Sequence, residues 1–405
     1  MSTVSQQPIL HVPERLPLSA RPVLSILRRL RYGAIQGTLP DGQWFFVSGS
    51  EPGPEGTLRL HHPMRLLWRV ARRGAIGFAE GYMAGDWSSP VPADLLEVLA
   101  ANEQSMQRQS RYDNLTGWRL RRYHQARRNT LAGSRRNIQA HYDLGNDFYR
   151  LWLDPTMTYS GAEFEDPAQE LEAAQHNKFG RILELLPLRS GARVLEIGCG
   201  WGGLALAAAE RGAHVTGVTL SREQLDHARG AVREAGLTAR VDLRLEDYRE
   251  TSGQFDHIVS VEMLEAVGEE YWPVYFDTLA ARLRERGSAV LHGITIQRDQ
   301  FENYRREPDF IQRYIFPGGM LPTLEHLQAQ AERAGLRVTR VDSLGGHYAR
   351  TLQRWHQRFV AKLDEVRALG YDERFIRMWR YYLAYCEAGF RIGRIDLHRL
   401  RLEKP

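Results

Sequence analysis

The stretch EIGCGWGG gathers Glu196, Gly198, Gly200, Gly202 and Gly203 in one short run, a pattern suited to holding a ligand against bare backbone. Glycines permit a tight turn and a close approach, and the helix that follows offers unpaired N–H groups at its start. Gly198, Gly200 and Gly203 satisfy GxGxxG, which alone is a weak dinucleotide signal. Two neighbours shift the chemistry. Glu196 stands two residues before the first glycine, where a carboxylate can accept hydrogen bonds from the ammonium of an amino acid. The next strand ends VTLSREQ, with Thr219 and Gln224 in place of the carboxylate that a nicotinamide-cofactor ribose usually wants. Glu246-Asp247-Tyr248 then places acid and aromatic where an adenine edge can be met. An amino acid at one end and adenine at the other describe S-adenosylmethionine, with another nucleotide as the alternative.

A second stretch, TMTYSGAEF at 156–164, mixes an aromatic, hydroxyls, a glycine and a carboxylate without clear periodicity. A plain surface connection is the bland alternative, yet loops on a rigid scaffold carry function disproportionately. The elements around both stretches are regular. From about residue 190 the strand RVLEIG leads through the glycine loop to the helix GLALAAAERG, the strand HVTGVTL, the helix REQLDHARGAVREAG and the strand VDLRLED. FDHIVSVEM, a helix and SAVLHGIT follow. Such alternation predicts a parallel sheet wrapped by helices. TLEHLQAQAERAG reads as a helix, LRVTRVDSL as a strand, and IDLHRLRLEK alternates like one more strand.

The predicted class is therefore α/β, a doubly wound Rossmann-like sheet preceded by a smaller α+β domain. That domain reads as a helix, strands around QWFFVSG and TLRLHHP bounded by Gly and Pro, then helices. The expected division is a polar tail over 1–20, the small domain over 21–105, an arginine-rich connector over 106–136 and the larger domain over 137–405, without internal repeats.

With 405 residues and 43% apolar content, two domain cores can be buried. Cys199 and Cys386 make neither a disulfide framework nor a metal-type pair, which fits a reducing, cytoplasmic setting and no metal. The N-terminus has no basic start with a long apolar run, and about 18 consecutive apolar residues occur nowhere, so no membrane span is expected. Net charge is +5, but its placement matters more. RLRRYHQARRNTLAGSRR at 119–136 contains Arg119, Arg121, Arg122, Arg127, Arg128, Arg135 and Arg136 and no acid. Smaller clusters occur at Arg28, Arg29 and Arg31 and at Arg69, Arg72 and Arg73. Arginine beside leucine and tryptophan suits an anionic lipid surface, each charge contributing about 1 kcal/mol near a bilayer. A solvated linker face is the plain alternative. Nucleic acid is disfavoured, because no base-reading module accompanies the arginines.

Together these signals look like a class I S-adenosylmethionine-dependent methyltransferase, and longer stretches are more specific. HYDLGNDFYRLWLDPTMTYS at 141–160, GCGWGGLA at 198–205, GVTLSREQ at 217–224, DYR at 247–249 and YIFPGGMLP at 314–322 resemble the cyclopropane-fatty-acyl-phospholipid synthase family, which includes mycolic acid cyclopropane synthases. GYMAGDWSSPVPADLLEVL at 81–99 resembles that family's N-terminal lipid-engaging domain, so the likeness spans nearly the whole chain. It implies a membrane-peripheral enzyme at the inner membrane face that modifies the double bond of an unsaturated phospholipid acyl chain. An alkene is a poor nucleophile, so it must be held in line with the sulfonium methyl. Methyl transfer leaves a carbocation, which aromatic faces stabilise and water must not reach. A base then removes a proton from the new methyl and the ring closes; in the family that base is thought to be a bound bicarbonate. Dimerisation is common in the family, and these residues do not decide whether a homodimer forms.

Residue by residue, the resemblance implies that Glu265 in SVEMLEAVG and His292 in LHGITI hold the bicarbonate network, joined by the backbone of Ile294. It assigns cofactor contacts to Tyr159, Ser160, Gly198, Gly200, Gly202, Thr219, Gln224 and Asp247, which join the Glu196 carboxylate read above from its position before the glycine loop. Cys386 in YYLAYCEAGF matches a cysteine once proposed as catalytic, although the chemistry needs no thiol and a small buried side chain is the preferred explanation. His141 and Tyr142 match a segment near the substrate, with packing as the equal alternative. Tyr304, Phe310, Tyr314, Phe316 and Tyr348 either line an acyl tunnel and face the cation or simply pack the core.

Two positions depart from the family pattern. Gly161 stands where many members carry cysteine, and His356, after Trp355, where many carry tyrosine. Glycine keeps a backbone donor for an ion, whereas imidazole can donate, accept or act as base where a phenol donates. Glu262, three residues before Glu265, shares its face if the segment is helical. It is either a supporting carboxylate or one that helps decide where the cation loses its proton. Loss from the transferred methyl gives a ring, and loss from the chain gives a methyl-branched alkene. Ring formation is the first expectation and methyl branching the alternative. An inactive lipid-binding relative is disfavoured by the intact glycine loop, Glu265 and His292.

Overall fold

In the computed structural model the described residues are 10–13, 15–106 and 144–405. The arginines at 119–136, His141 and Tyr142 lie outside them. By contact density the chain divides into residues 1–118 with 355–393, and residues 119–354 with 394–405. Residues 355–393 thus group with the first unit, whereas the expected larger domain ran unbroken over 137–405.

In the first unit β1 (Leu10–His11), β2 (Tyr32–Thr38), β3 (Trp44–Ser48), β4 (Glu51–Leu60) and β5 (Trp87–Ser88) form a sheet in the order β1-β3-β2-β4-β5. Strand β2 is not evident in YGAIQGT because glycines interrupt its apolar residues. Gly37 needs to be glycine, since a Cβ there would sit 1.8 Å from the Leu58 carbonyl oxygen on the neighbouring strand. The helices Pro63–Met83, Pro92–Ala101 and Glu373–Arg391 supply the other apolar faces. Buried Trp87 donates Nε1–H to the Phe78 carbonyl at 2.9 Å and meets Tyr82 and Tyr381 at 4.8 and 6.3 Å. The side chain of Asn102 accepts from the N–H groups of Arg31 and Tyr32 and donates to the carbonyls of Tyr32 and Val98, fastening the helix end to β2.

The second unit contains β6 (Arg193–Ile197), β7 (His214–Thr219), β8 (Val241–Leu245), β9 (Phe255–Val261), β10 (Leu283–Ile296), β11 (Arg337–Ser343) and β12 (Ile395–Glu403). Their order is β11-β12-β10-β9-β6-β7-β8, parallel from β10 to β8 and antiparallel on both sides of β12. The predicted α/β class and the late alternating strand are both present. Val194, Val215, Leu243 and Val290 face one helical layer, and Leu195, Ile258, Ala289 and Leu291 face the other, as expected for a sheet buried on both sides. The chain runs outward from β6 to β8 and then returns to β9 on the opposite side of β6, so strand order reverses between β6 and β9. Ligands of such sheets bind outside the carboxyl ends of the strands at this reversal. No helix among the described residues is long and apolar enough to cross a membrane.

Candidate active site

At the carboxyl end of β6, Gly198, Gly200 and Gly202 have φ of +84°, +52° and +92°, a region that side-chain-bearing residues rarely adopt. A Cβ on Gly200 would meet nothing within 4 Å, so the loop leaves room there for a ligand. Glu196 is buried, and its Oε2 has no hydrogen-bond partner among the described residues. Burial pushes this carboxyl up to about 8, with Lys178 pulling it down. A buried carboxyl with an unmet oxygen fits the ammonium of an amino-acid ligand. On β7, Thr219 Oγ1 donates to Gln224 Oε1 at 3.0 Å, and Ser221 caps the helix Arg222–Glu234 by accepting from the Gln224 N–H. Asp247 is buried in a two-point pair with Arg249, at 2.8 Å from Nε and 2.7 Å from Nη2. Arg249 fixes this carboxylate, whose remaining lone pairs can accept from an adenine amino group.

The 156–164 stretch lies beside the glycine loop. Tyr159 packs against Tyr149 and Trp152 at 5.5 and 5.4 Å, and Tyr149 packs against Trp201 of the loop at 5.1 Å. Trp201 donates to Asn146 at 2.7 Å. Ser160 is held from behind by the helix Leu171–Glu184: its carbonyl accepts from Gln175 at 2.9 Å, and its Oγ accepts from Lys178 Nζ at 2.5 Å. Sequence inspection singled out neither residue, because a lysine in EAAQHNKFGRILELL looks like a solvent-facing charge. It is fully buried.

At the end of β9 the expected shared helical face is absent. Glu262 has φ +48°, and only Leu264–Ala266 forms a short 3-10 turn. The carboxylates still meet, by another route. The Glu262 N–H donates to the His292 carbonyl at 2.6 Å, tying the turn to β10. Glu262 Oε1 accepts the Gly161 N–H at 2.8 Å and Oε2 accepts the Tyr348 hydroxyl at 2.5 Å. Glu265 Oε1 accepts the Ile294 N–H at 2.5 Å, while its Oε2 is buried with no partner among the described residues. Burial first, then the charge of Glu262, pushes Glu265 up to about 8. His292 is buried with Nδ1 3.4 Å from Glu262 Oε1 and no closer partner on either ring nitrogen among the described residues. Burial lowers its pKa against the pull of Glu262, leaving a neutral ring at pH 7. Gly161, Glu265, His292 and Ile294 are thus brought together, with Glu262 and Tyr348 among them.

Gly161 also acquires a steric reason. A Cβ there would lie 2.8 Å from Leu397 Cδ2 and 3.1 Å from Tyr348 Cγ, so the tyrosine ring fills the space a cysteine would take. Its backbone donor, expected to be open to an ion, is bonded to Glu262. His356 and Cys386 fall in the first unit. Burial and the Arg380 charge bring His356 down to about 4, so it is neutral at pH 7. A phenol is nonetheless present at the carboxylate pair, from Tyr348. Phe310 and Tyr314 pack on one another at 5.4 Å, and Tyr304 packs against the core.

A family model described as mycolic acid cyclopropane synthetase matches residues 129–400. The chain belongs to that family. The tuberculostearic acid methyltransferase of Mycobacterium tuberculosis is 44% identical over 359 residues, covering 85% of this chain and 83% of its own. A probable fatty acid methyltransferase of Pseudomonas putida is 44% identical over 272 residues, 66% of this chain and 69% of its own. The cyclopropane-fatty-acyl-phospholipid synthase of Escherichia coli is 36% identical over 376 residues, 89% of this chain and 93% of its own. The crystal structure of a mycolic acid cyclopropane synthase complexed with SAH and CTAB has a TM-score of 0.63 at 36% identity, covering 67% of this chain and 98% of that one. The protein is an S-adenosylmethionine-dependent methyltransferase of class I fold. The glycine loop, with the unmet oxygen of Glu196, fits that cofactor.

Bicarbonate fits less well. The N–H groups of Gly161 and Ile294 are already bonded to Glu262 and Glu265. A further anion would enter beside two carboxyl groups, where like charge and burial both oppose it.

Proposed function

We propose that this enzyme methylates the double bond of an unsaturated phospholipid acyl chain and delivers the released proton to Glu262, giving a methyl-branched unsaturated chain rather than a ring. The observation that carries this reading is the Glu262 carboxylate seated on the Gly161 N–H and the Tyr348 hydroxyl. In the ring-forming scheme a small ion takes such donors. Here a side chain has them. The two relatives at 44% identity are named as methyltransferases of fatty acids, which supports the same choice.

When bound, S-adenosylmethionine supplies an electrophilic methyl group on a positively charged sulfur. The chain's own residues do the rest. Glu196 and the glycine loop hold the amino-acid end, and Gln224 and Asp247 hold the nucleoside end. The carbon skeleton, cationic after methylation, must be shielded from water and lose one proton. Glu265, raised to about 8, carries a proton at neutral pH, and neutral His292 adds no charge beside it. Glu262, held by two donors, is then the acceptor. A fixed acceptor selects one proton by its position, a form of catalysis typically worth about 10²–10⁴ in rate.

Substrate access is at the inner membrane face. In the first unit Met64 and Trp68 are exposed on the helix Pro63–Met83, with the Arg72 guanidinium 4.5 Å from the Trp68 ring. Such an apolar and basic face suits anionic lipid. Ring closure is the second reading, favoured by Glu265, His292 and the Ile294 N–H standing together. Lipids from expressing cells decide between them. Monounsaturated chains should gain the mass of one methylene and still take up hydrogen. Methylated chains that resist hydrogenation establish the ring; no mass gain under good expression sinks both readings.

A further inference from the structure

Asn146 is a half-buried amide to which the chemistry above gives no task. Its two polar atoms reach different elements: Oδ1 accepts the Trp201 Nε1–H at 2.7 Å, and Nδ2 donates to the Glu223 carbonyl at 3.2 Å. A carboxylate of the same length could only accept. Trp201 stands between Gly200 and Gly202 in the glycine loop, and Glu223 stands just before Gln224, in the first turn of the helix Arg222–Glu234. The short helix Asn146–Arg150 touches that longer helix again one turn on, where Arg150 Nη2 donates to His227 Nδ1 at 3.3 Å. Burial and the Arg150 charge lower the His227 pKa, which leaves the ring a lone pair with which to accept. Gly202 completes the seating from the loop side, since a Cβ there would stand 3.0 Å from Ala228 Cβ on the same helix.

We infer that Asn146 is a positioning residue for the cofactor, holding the glycine loop in its binding shape before the ligand arrives by tying Trp201 to the first turn of the helix Arg222–Glu234. This rests on the cofactor lying against the glycine loop, as proposed above, and not on the choice of lipid product. The physical reason is entropic. Gly198, Gly200 and Gly202 all hold positive φ, and glycine loses more conformational freedom on ordering than any other residue. A loop free to sample other shapes would have to be ordered by the ligand, and that cost is subtracted from affinity. The buried indole of Trp201 needs an acceptor for its N–H, and Asn146 supplies it from a side chain that is itself bonded at its other end. Five helical residues do not hold their shape alone. Buried Tyr149 steadies them by packing against Trp201 at 5.1 Å and Trp152 at 5.6 Å. The bridge thus joins the loop at the amino-acid end to the segment that carries Gln224 at the nucleoside end, and a ligand spanning both meets a fixed separation.

The test compares the wild type with Asn146→Ala, which removes both bonds, and Asn146→Asp, which keeps the acceptor for Trp201. Affinity for S-adenosylhomocysteine is read by calorimetry, and amide hydrogen exchange follows residues 198–203. Asn146→Ala should bind about tenfold more weakly, the order of one hydrogen bond, with the loss in the entropy of binding. Its free loop should exchange faster than that of the wild type, while the two bound loops are protected alike. Asn146→Asp should recover most of the affinity. Trp201→Phe, which keeps an aromatic ring on Tyr149 and deletes the N–H, should lose a similar factor, and combining it with Asn146→Ala should cost little more, because either change breaks the same bond. An amide that only supports the fold would lower the melting midpoint and leave affinity and free-loop exchange unchanged; that result in a folded Asn146→Ala overturns the inference, and so do fully multiplicative losses in the double variant. If Asn146→Ala fails to fold, Trp201→Phe is read in its place, and unchanged affinity there overturns it equally. If residues 198–203 gain no protection when the wild type binds S-adenosylhomocysteine, the placement of the cofactor fails and the inference falls with it.

Discussion

Gly161→Ala tests the packing that holds Glu262. The new Cβ would stand 2.8 Å from Leu397 Cδ2 and 3.1 and 3.2 Å from Tyr348 Cγ and Cδ1, against an ordinary carbon contact of about 3.5–4.0 Å. Gly161 does not have positive φ, so backbone strain adds nothing. The cost is overpacking, about 1–3 kcal/mol. Leu397 is fully buried on β12 and has little room to retreat. The tyrosine ring is the part that can yield, and when it turns its hydroxyl leaves Glu262 Oε2. A hydrogen bond to a charged group contributes about 1.5–3 kcal/mol, which corresponds to roughly tenfold to a hundredfold in turnover if that bond matters to the reaction. Differential scanning calorimetry should show a midpoint lower by roughly 2–8 °C, and the vesicle assay should show the activity loss. Tyr348→Phe alone should lose a similar factor. In the double variant the two activity losses should overlap rather than multiply, because one bond is broken by either route. Wild-type melting and turnover in Gly161→Ala would refute the reasoning, and so would fully multiplicative losses.

Other outcomes follow from the same geometry. Glu265→Gln, which mimics the protonated carboxyl and keeps an acceptor for the Ile294 N–H, should retain most turnover and leave S-adenosylhomocysteine binding intact, and abolished turnover would contradict Glu262 as the acceptor. The folded pKa of Glu265, about 8, lies above its ordinary 4.5, so the native state binds more protons between these values and stability falls as pH rises through that window. Melting curves should therefore show Glu265→Gln gaining on the wild type from pH 5 to pH 8; a difference independent of pH would contradict the assignment. Asp247→Ala removes the carboxylate fixed by Arg249 and should weaken S-adenosylhomocysteine binding about tenfold or more by calorimetry.

The doubly wound core was legible because its strands and helices alternate over a long, regular run, and β12 because IDLHRLRLE alternates apolar and polar residues except at the adjacent His398 and Arg399. β2 was hidden by its glycines. The grouping of residues 355–393 with the N-terminal unit was hidden because contacts between distant segments leave no periodic trace. At the site, Glu262 and Glu265 were expected together through a helical spacing, and the structure unites them through a left-handed residue and a 3-10 turn. The proximity was readable; its cause was not. Lys178 illustrates a different limit. Nothing in an amphipathic helix marks one lysine as buried; that follows only from the fold, in which its Nζ donates to Ser160 Oγ on a separate segment. Tyr348 was noticed as an aromatic, but its role as donor to Glu262 depends on the space left by Gly161.

The central claim is that a side chain, not an ion, receives the proton. Turnover of the purified enzyme on monounsaturated phospholipid vesicles in carbon-dioxide-free buffer, with and without added bicarbonate, tests it most directly. The account predicts the same rate in both buffers for the wild type and a rate lower by about 10²-fold or more for Glu262→Gln. A wild-type rate that collapses without bicarbonate and returns on its addition would contradict it.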